Sequence, residues 1–128
     1  MTGQEIFKRA SAYIYEQPGD AEDSQQFAVD FLNVLLIEAL PYENSIRRYE
    51  GKEELAEAPQ ITSLDEDIPY HAAITGLAFP YGLASPLFEE DLDNYRGQMY
   101  RNRYIQALYD AQKFALESVE DVYDAGDN

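Results

Sequence analysis

No cysteine and no tryptophan occur in this chain of 128 residues, and it has one histidine, His71. The lack of cysteine excludes disulfides, thiolate metal sites and thiol nucleophiles together. His71 has no serine or carboxylate at a recognisable triad spacing, which leaves it as a structural residue near a helix start. Cations are scarce. Nine Lys and Arg stand against 25 Asp and Glu, a net charge of −16. Affinity for a phosphate backbone needs cations that displace counterions, so this composition argues against nucleic-acid binding. Long apolar runs are missing as well: the longest, near Val34–Ile37, is four residues, far short of a membrane span. Lys8 and Arg9 lead into an interrupted apolar stretch rather than a signal peptide. A soluble, intracellular protein is expected. There is no phosphate-cradling glycine loop, zinc spacing or nucleophile elbow, so no catalytic, cofactor or metal residue is assigned.

What is present is enough for one domain. Apolar residues make up 45% of the chain, and the length supports one real core but not two. Eleven tyrosines supply large apolar bodies with polar tips, a residue type enriched at protein interfaces.

The elements read as helices. Thr2-Gly3-Gln4-Glu5 fits a capping box, and Ile6, Ala10, Tyr13 and Ile14 follow at helical spacing. This helix is expected from about 3 to 16, stopping at Gln17-Pro18-Gly19 before an acidic linker. A second begins near Asp23 or Ser24 and is expected to end at Pro41. Phe27, Ala28, Phe31, Leu32, Leu35, Leu36 and Ala39 give it a broad apolar face, and Asp30 and Asn33 sit at its boundary. Residues 41–60 read as a connector with a short helical turn at 44–49. Arg47 and Arg48 there are expected to pair with neighbouring acids such as Glu43 and Glu50.

Residues 61–88 are the most structured by proline and glycine. Ile61, Leu64 and Ile68 can anchor the segment while Asp65-Glu66-Asp67 faces water. That acidic triplet lacks the alternating ligands, turn glycine and distal Glu of a calcium loop. Pro69 suits a first helical position leading into a helix over 70–79. Pro80 has Gly76 four residues before it, and Pro86 has Gly82. A proline ring collides with the carbonyl at i−4 and removes a hydrogen bond, and glycine there lets the backbone bend. The spacing predicts two kinks, or one kink and a stop.

Asp91 can cap a last helix running from about 91 to 123, about 50 Å at 1.5 Å per residue. Leu92, Tyr95, Met99, Ile105, Leu108, Ala115, Val119 and Val122 mark one side. Tyr100, Tyr104, Tyr109, Phe114 and Tyr123 widen the apolar surface beyond what three shorter partners can cover. Cations, among them Arg101 and Arg103, stop at Lys113. Glu117, Glu120 and Asp121 then oppose the helix dipole, so 117–128 is expected to be an acidic tail that frays from about 122. The residues singled out as an interaction surface are Tyr95, Tyr100, Tyr104, Tyr109, Arg101, Arg103, Glu117, Glu120 and Asp121. The expected architecture is all-α: four main helices, the third kinked and the C-terminal one long.

The order of QEIFKRASAYI, FAVDFLNVLLIEAL, ITSLDEDIP and PYGLASPLFEEDLDNYRGQMYRNRY resembles head–tail connector (adaptor) proteins of tailed bacteriophages and prophages. The likeness covers about 3–116 and is sharpest at Leu64-Asp65-Glu66-Asp67-Ile68 and Tyr81-Gly82-Leu83-Ala84. It implies a helical bundle that assembles into a ring beneath the portal and extends the DNA channel. The implied partners are the portal, neighbouring copies and a downstream tail-completion protein, in the host cytoplasm during assembly and then in the virion. DNA would pass without specific binding, and no cofactor or membrane is implied.

Two other classes fit parts of the chain. An acidic DNA mimic would inhibit a nucleic-acid enzyme, but it needs phosphate-like acid spacing, and Arg96, Arg101, Arg103 and Lys113 interrupt the acids. An all-α metal-dependent hydrolase needs Glu-x-x-Glu pairs on facing helices. Glu50/Glu53, Glu54/Glu57 and Glu117/Glu120 match only in the connector and tail.

Overall fold

Thr2 begins the first helix as its spacing to Glu5 predicts: the Thr2 hydroxyl accepts the Glu5 N–H at 3.2 Å and donates to the Glu5 carboxylate at 3.2 Å. The computed structural model describes residues 1–14, 25–90 and 92–126, and of 90 and 118–126 the backbone alone. The expected stop at Gln17-Pro18-Gly19, the start at Asp23 or Ser24 and the Asp91 cap lie outside those residues. Among the described residues there are four α-helices: α1 (Gly3–Ile14), α2 (Gln25–Tyr49), α3 (Phe79–Glu90) and α4 (Asn94–Gly126). The fold is a small all-α bundle, as expected.

α2 does not end at Pro41. It continues eight residues further, to Tyr49. A proline inside a helix costs about 3 kcal/mol, and here the turns beyond it offset that cost. Ile46 is buried, the Ser45 hydroxyl accepts from Gln112 Nε2 on α4 at 2.8 Å, and Arg47 pairs with Glu43. Pro41 itself lies on the exposed side of the helix.

The loop after α2 is held to the core where the apolar spacing indicates: Ile61, Leu64 and Ile68 are buried while Asp65, Glu66 and Asp67 are exposed. Pro69 is not the first residue of a helix. The 69–71 segment is fixed by α2 instead. Tyr70 Oη donates to the Leu36 carbonyl at 2.5 Å, Glu43 Oε1 accepts the His71 N–H at 2.6 Å, and Arg47 Nη2 donates to the Pro69 carbonyl at 2.8 Å. Helical structure begins after His71, whose Nδ1 accepts the Ala73 N–H at 3.2 Å. The histidine therefore acts as a cap, the structural role expected of it.

A π-helical turn, Ile74–Ala78, leads directly into α3. The irregularity expected at Gly76/Pro80 is this turn, with the Phe79 N–H reaching back five residues to the Ile74 carbonyl. Pro80 has no N–H to offer the Gly76 carbonyl, and Arg9 Nη1 of α1 donates to that carbonyl at 2.9 Å. At Pro86, of the two expected alternatives, the stop does not occur: α3 continues to Glu90. Gly82 serves packing: a Cβ there would lie 2.8 Å from Tyr104 Cδ1 and 3.0 Å from Leu35 Cδ2.

α3 is the central element. Its residues from Leu83 to Phe88 are buried except Pro86, which is half-buried. One hydrophobic cluster unites α1 (Ile6, Ala10), α2 (Leu32, Leu36), α3 (Leu83, Leu87) and α4 (Tyr104, Leu108). The cap of α4 is Asp93, whose Oδ1 accepts the Arg96 N–H at 3.1 Å. The buried seam of α4 is Tyr100, Tyr104, Leu108 and Ala111, at helical spacing. Leu92 and Tyr95, at the start of the apolar side expected of the last helix, are 89% and 83% exposed, which leaves Tyr95 on the surface as expected of it. No described helix is long and apolar enough to cross a membrane.

Candidate interaction surface

α1, α3 and α4 meet along a column of aromatic rings. Tyr13 of α1 and Tyr81 of α3 stack with ring centroids 5.3 Å apart. Tyr100 of α4 lies 5.4 Å from Tyr13 and 5.9 Å from Tyr81, and it stacks on Phe88 at 5.2 Å. The helices come this close because small residues meet at the crossing: Ser85 Oγ donates to the Gly97 carbonyl at 2.7 Å. Burial and the adjacent Tyr81 raise the Tyr13 phenol above its ordinary pKa. The Tyr13 ring therefore stays neutral at physiological pH.

Guanidinium groups cover the column. Arg103 sits over the Tyr100 ring at 5.0 Å and Arg96 over Phe88 at 5.9 Å. Arg9 lies one turn from Tyr13 on α1 and holds the Gly76 carbonyl. Leu77, 64% exposed, lies one turn before Tyr81. The result is a cationic face, in a strongly acidic chain, whose exposed apolar side chains are Tyr13 and Leu77.

On another side of α4, Arg101 pairs with Glu38 of α2 through two hydrogen bonds, one to each carboxylate oxygen. That contact raises the Arg101 pKa. The pair borders a groove of about 440 Å³ whose lining includes Phe31, Val34, Gly82 and Pro86. A smaller polar recess of about 190 Å³ has Glu43, Glu50 and His71 in its wall, where the charged groups pair with one another. His71 Nε2 lies 3.3 Å from Glu50 Oε1, and Lys52 holds Glu50 at 2.8 Å. The Lys52 hydrogen bond keeps the Glu50 carboxyl below its ordinary pKa.

Of the expected interaction residues, Arg101 is taken up by Glu38, and the others separate into three groups. Tyr100 and Tyr104 belong to the core: Tyr104 is fully buried and Tyr100 is 8% exposed, so neither offers a free surface as expected of them. Tyr95, Tyr109 and Arg103 are exposed, with Tyr109 packed edge-on against Tyr42 at 5.6 Å. Glu117 is exposed, 3.8 Å from Lys113. The side chains of Glu120 and Asp121 lie outside the described residues, and the backbone of the tail expected to fray is helical to Gly126.

Of the expected Glu-x-x-Glu pairs, Glu54 is taken up by Arg48 at 2.7 Å and Glu50 by Lys52. Among the described residues, no three His, Asp or Glu side chains converge to hold a metal ion. Two residues that carry the architecture were missed as such, Arg9 and Asn44. Glu43 pairs with Arg47 as expected, at 2.6 Å, but its burial left no signal beyond the i, i+4 spacing.

The surface is thus that of a small all-α bundle with an aromatic, arginine-covered face and a long projecting helix. No family model, curated protein or solved structure matches this chain.

Proposed function

We propose that this chain is a structural head–tail connector of a tailed bacteriophage or prophage. It binds the portal and neighbouring copies in a ring that extends the DNA channel, with a tail-completion protein below. It assembles in the host cytoplasm and remains in the virion. The reading is supported by the resemblance over 3–116 and, in the structure, by one observation above others. The last described α4 residue packed against the core is Ala115, and the helix backbone runs on to Gly126. That continuation is eleven residues, about 16 Å of helix. A helix that outruns its core is suited to meeting another subunit.

The net charge of −16 suits a conduit, because a surface that attracted phosphates would hold the DNA rather than let it slide. The chemistry of this role is assembly, so no reacting residue is assigned.

Mass spectrometry of purified particles from the induced source strain tests the proposal. The expected result is this chain present at near one copy per portal subunit. Its absence from DNA-filled, tailed particles removes the connector reading and brings the acidic inhibitor forward.

A further inference from the structure

Six of the nine cations form ion pairs with carboxylates: Arg47, Arg48, Lys52, Arg96, Arg101 and Lys113. The other three, Lys8, Arg9 and Arg103, have no carboxylate partner among the described residues. Two of these three flank the aromatic column, Arg9 beside Tyr13 and Arg103 over Tyr100. The surrounding sequence reinforces that sign. From Ile68 to Phe88 there is no Asp, Glu, Lys or Arg at all. α1 and residues 94–116 of α4 carry six cations against two acids, Glu5 and Asp110. In a chain of net charge −16, this face thus offers two guanidinium groups, Arg9 and Arg103, without a carboxylate partner among the described residues.

The complementary group is in the same chain. After Lys113 there is no cation, and Glu117, Glu120, Asp121, Asp124 and Asp127 follow. Acids at the C-terminal end of a helix oppose its dipole and gain from an external cation. Arg103 cannot be that cation within one chain. It lies fourteen residues before Glu117 on one continuous helix, a separation of about 21 Å. The match can only be made between molecules.

We propose that the Arg9–Arg103 aromatic face is the docking site for the acidic C-terminal third of α4 from a second copy of this chain. The exposed Leu77 and the Tyr13–Tyr81 stack receive the apolar side of the incoming helix, where Leu116 is exposed. Arg9 and Arg103 meet its carboxylates. The face and the helix end are different patches, so the contact is head-to-tail, the kind that closes into a ring when the rotation allows. It also brings unlike charges together in copies that otherwise repel. The inference rests on the connector reading for the ring it builds.

Sedimentation equilibrium of the full chain tests it, up to about 1 mM protein and in about 20 mM salt, where surface charges are least screened. The wild-type chain is expected to associate, and more weakly as salt rises. Arg103→Glu weakens association about tenfold or more, the loss of several exposed pairs. A triple charge reversal, Glu117→Lys with Glu120→Lys and Asp121→Lys, does the same, and because cations favour a helix C-terminus its melting temperature does not fall below the wild-type value. Mixing the two variants restores association, because each reversed face meets a reversed helix end.

A wild-type chain that stays monomeric throughout, or either variant associating as wild type, overturns the docking site. The two readings fail separately. A monomeric chain found in particles removes this contact and keeps the connector, whereas a self-associating chain absent from particles does the reverse.

Discussion

Asn33 and Asn44 stand eleven residues apart on α2, about three turns, and each clasps the peptide of one loop residue at two points. Asn33 Nδ2 donates to the Ile61 carbonyl at 3.0 Å and its Oδ1 accepts the Ile61 N–H at 2.8 Å. Asn44 does the same to Leu55, at 2.9 and 2.7 Å. One edge of the helix thus supplies the backbone partners that an extended loop would otherwise find in a strand. These peptides are partly buried and would be costly to leave unpaired.

Asn33→Ala is therefore expected to destabilise the fold by about 2 kcal/mol, two hydrogen bonds at about 1 kcal/mol each. Asn33→Asp should cost a similar amount, because a carboxylate keeps the acceptor but cannot donate to the Ile61 carbonyl. Urea unfolding followed by far-UV circular dichroism measures both. An Asp variant as stable as wild type would show that the donor half of the clasp contributes nothing.

The contact between Arg9 and the Gly76 carbonyl makes a sharper prediction, because its cause is a third residue. Pro80 withholds the N–H that an uninterrupted helix would offer Gly76. Arg9→Met should cost about 1 kcal/mol in the wild-type background. In a Pro80→Ala background the new N–H can serve the carbonyl, so the same substitution should cost little. A double-mutant cycle reads the difference directly. Equal costs in both backgrounds would mean that Arg9 contributes through something other than this bond.

These contacts show where the sequence was legible. Periodicity located the helices, the hydroxyl-to-Glu spacing located the first cap, and the spacing of Ile61, Leu64 and Ile68 marked a loop tied to the core. Each is a local pattern. The boundary at Pro41 was misread because a proline's local cost is visible in sequence, while the bonds of Ser45 and Arg47 that offset it are not. Tyr100 and Tyr104 were read as surface because tyrosine has a polar tip, yet they form the buried seam of α4. The missing information was Gly82, twenty-two residues before Tyr104 in sequence, whose absent side chain makes room for the ring. The aromatic face has the same origin: its parts come from three helices, and no one window of sequence contains them. Arg9 and Arg103 were visible, but their want of a carboxylate partner among the described residues was not.

Tyr104 carries the one buried side-chain polar atom found without a hydrogen-bond partner among the described residues, its hydroxyl. Burial raises the phenol far above its ordinary pKa, so it is neutral throughout the working range. An unpaired buried hydroxyl is a net cost. Tyr104→Phe is expected to leave stability unchanged or raise it by up to about 1 kcal/mol. Gly82→Ala, which drives a methyl into the same ring, should lose about 1–3 kcal/mol. Thermal unfolding of the two variants side by side checks the pair. A large loss in Tyr104→Phe would mean that the hydroxyl has a partner.

Acid sensitivity should centre in part on Glu66. Its Oε2 accepts the Thr62 N–H at 2.5 Å, the Ser63 N–H at 2.7 Å and the Thr62 hydroxyl at 3.0 Å. The Thr62 backbone bond, followed by that of Ser63, holds the carboxyl below its ordinary pKa. A carboxyl whose pKa is depressed on folding stabilises the fold at pH values above its unfolded pKa, about 4.3 for Glu. That contribution is lost as the pH falls through the folded value. Glu66→Gln should therefore be less stable than wild type at neutral pH, with the gap closing on acidification below about 4.3. Melting temperatures of both proteins from pH 7 to pH 3 give the result. A gap that stays constant with pH would sink the assignment to Glu66.

Leu92 is the one described residue other than glycine with positive φ, at 62°. It ends α3 in the manner usually served by glycine: its N–H donates to the Glu89 carbonyl at 3.0 Å, and the next N–H, of Asp93, donates to Phe88 at 2.9 Å. Asp93 then caps α4, so a single short turn must close one helix and open the next, and the backbone at 92 has no freedom to relax. Left-handed backbone costs a leucine about 1–2 kcal/mol, while glycine gives back about 0.5–1 kcal/mol through its looser unfolded chain. With the side chain 89% exposed, little burial is lost on removing it. Leu92→Gly should thus gain up to about 1 kcal/mol, whereas Leu92→Ala, which keeps the strain and loses only the exposed side chain, should leave stability near wild type. Urea unfolding of both variants separates backbone from side chain: a gain confined to glycine places the cost in the turn, and an equal gain in alanine places it in the exposed leucine.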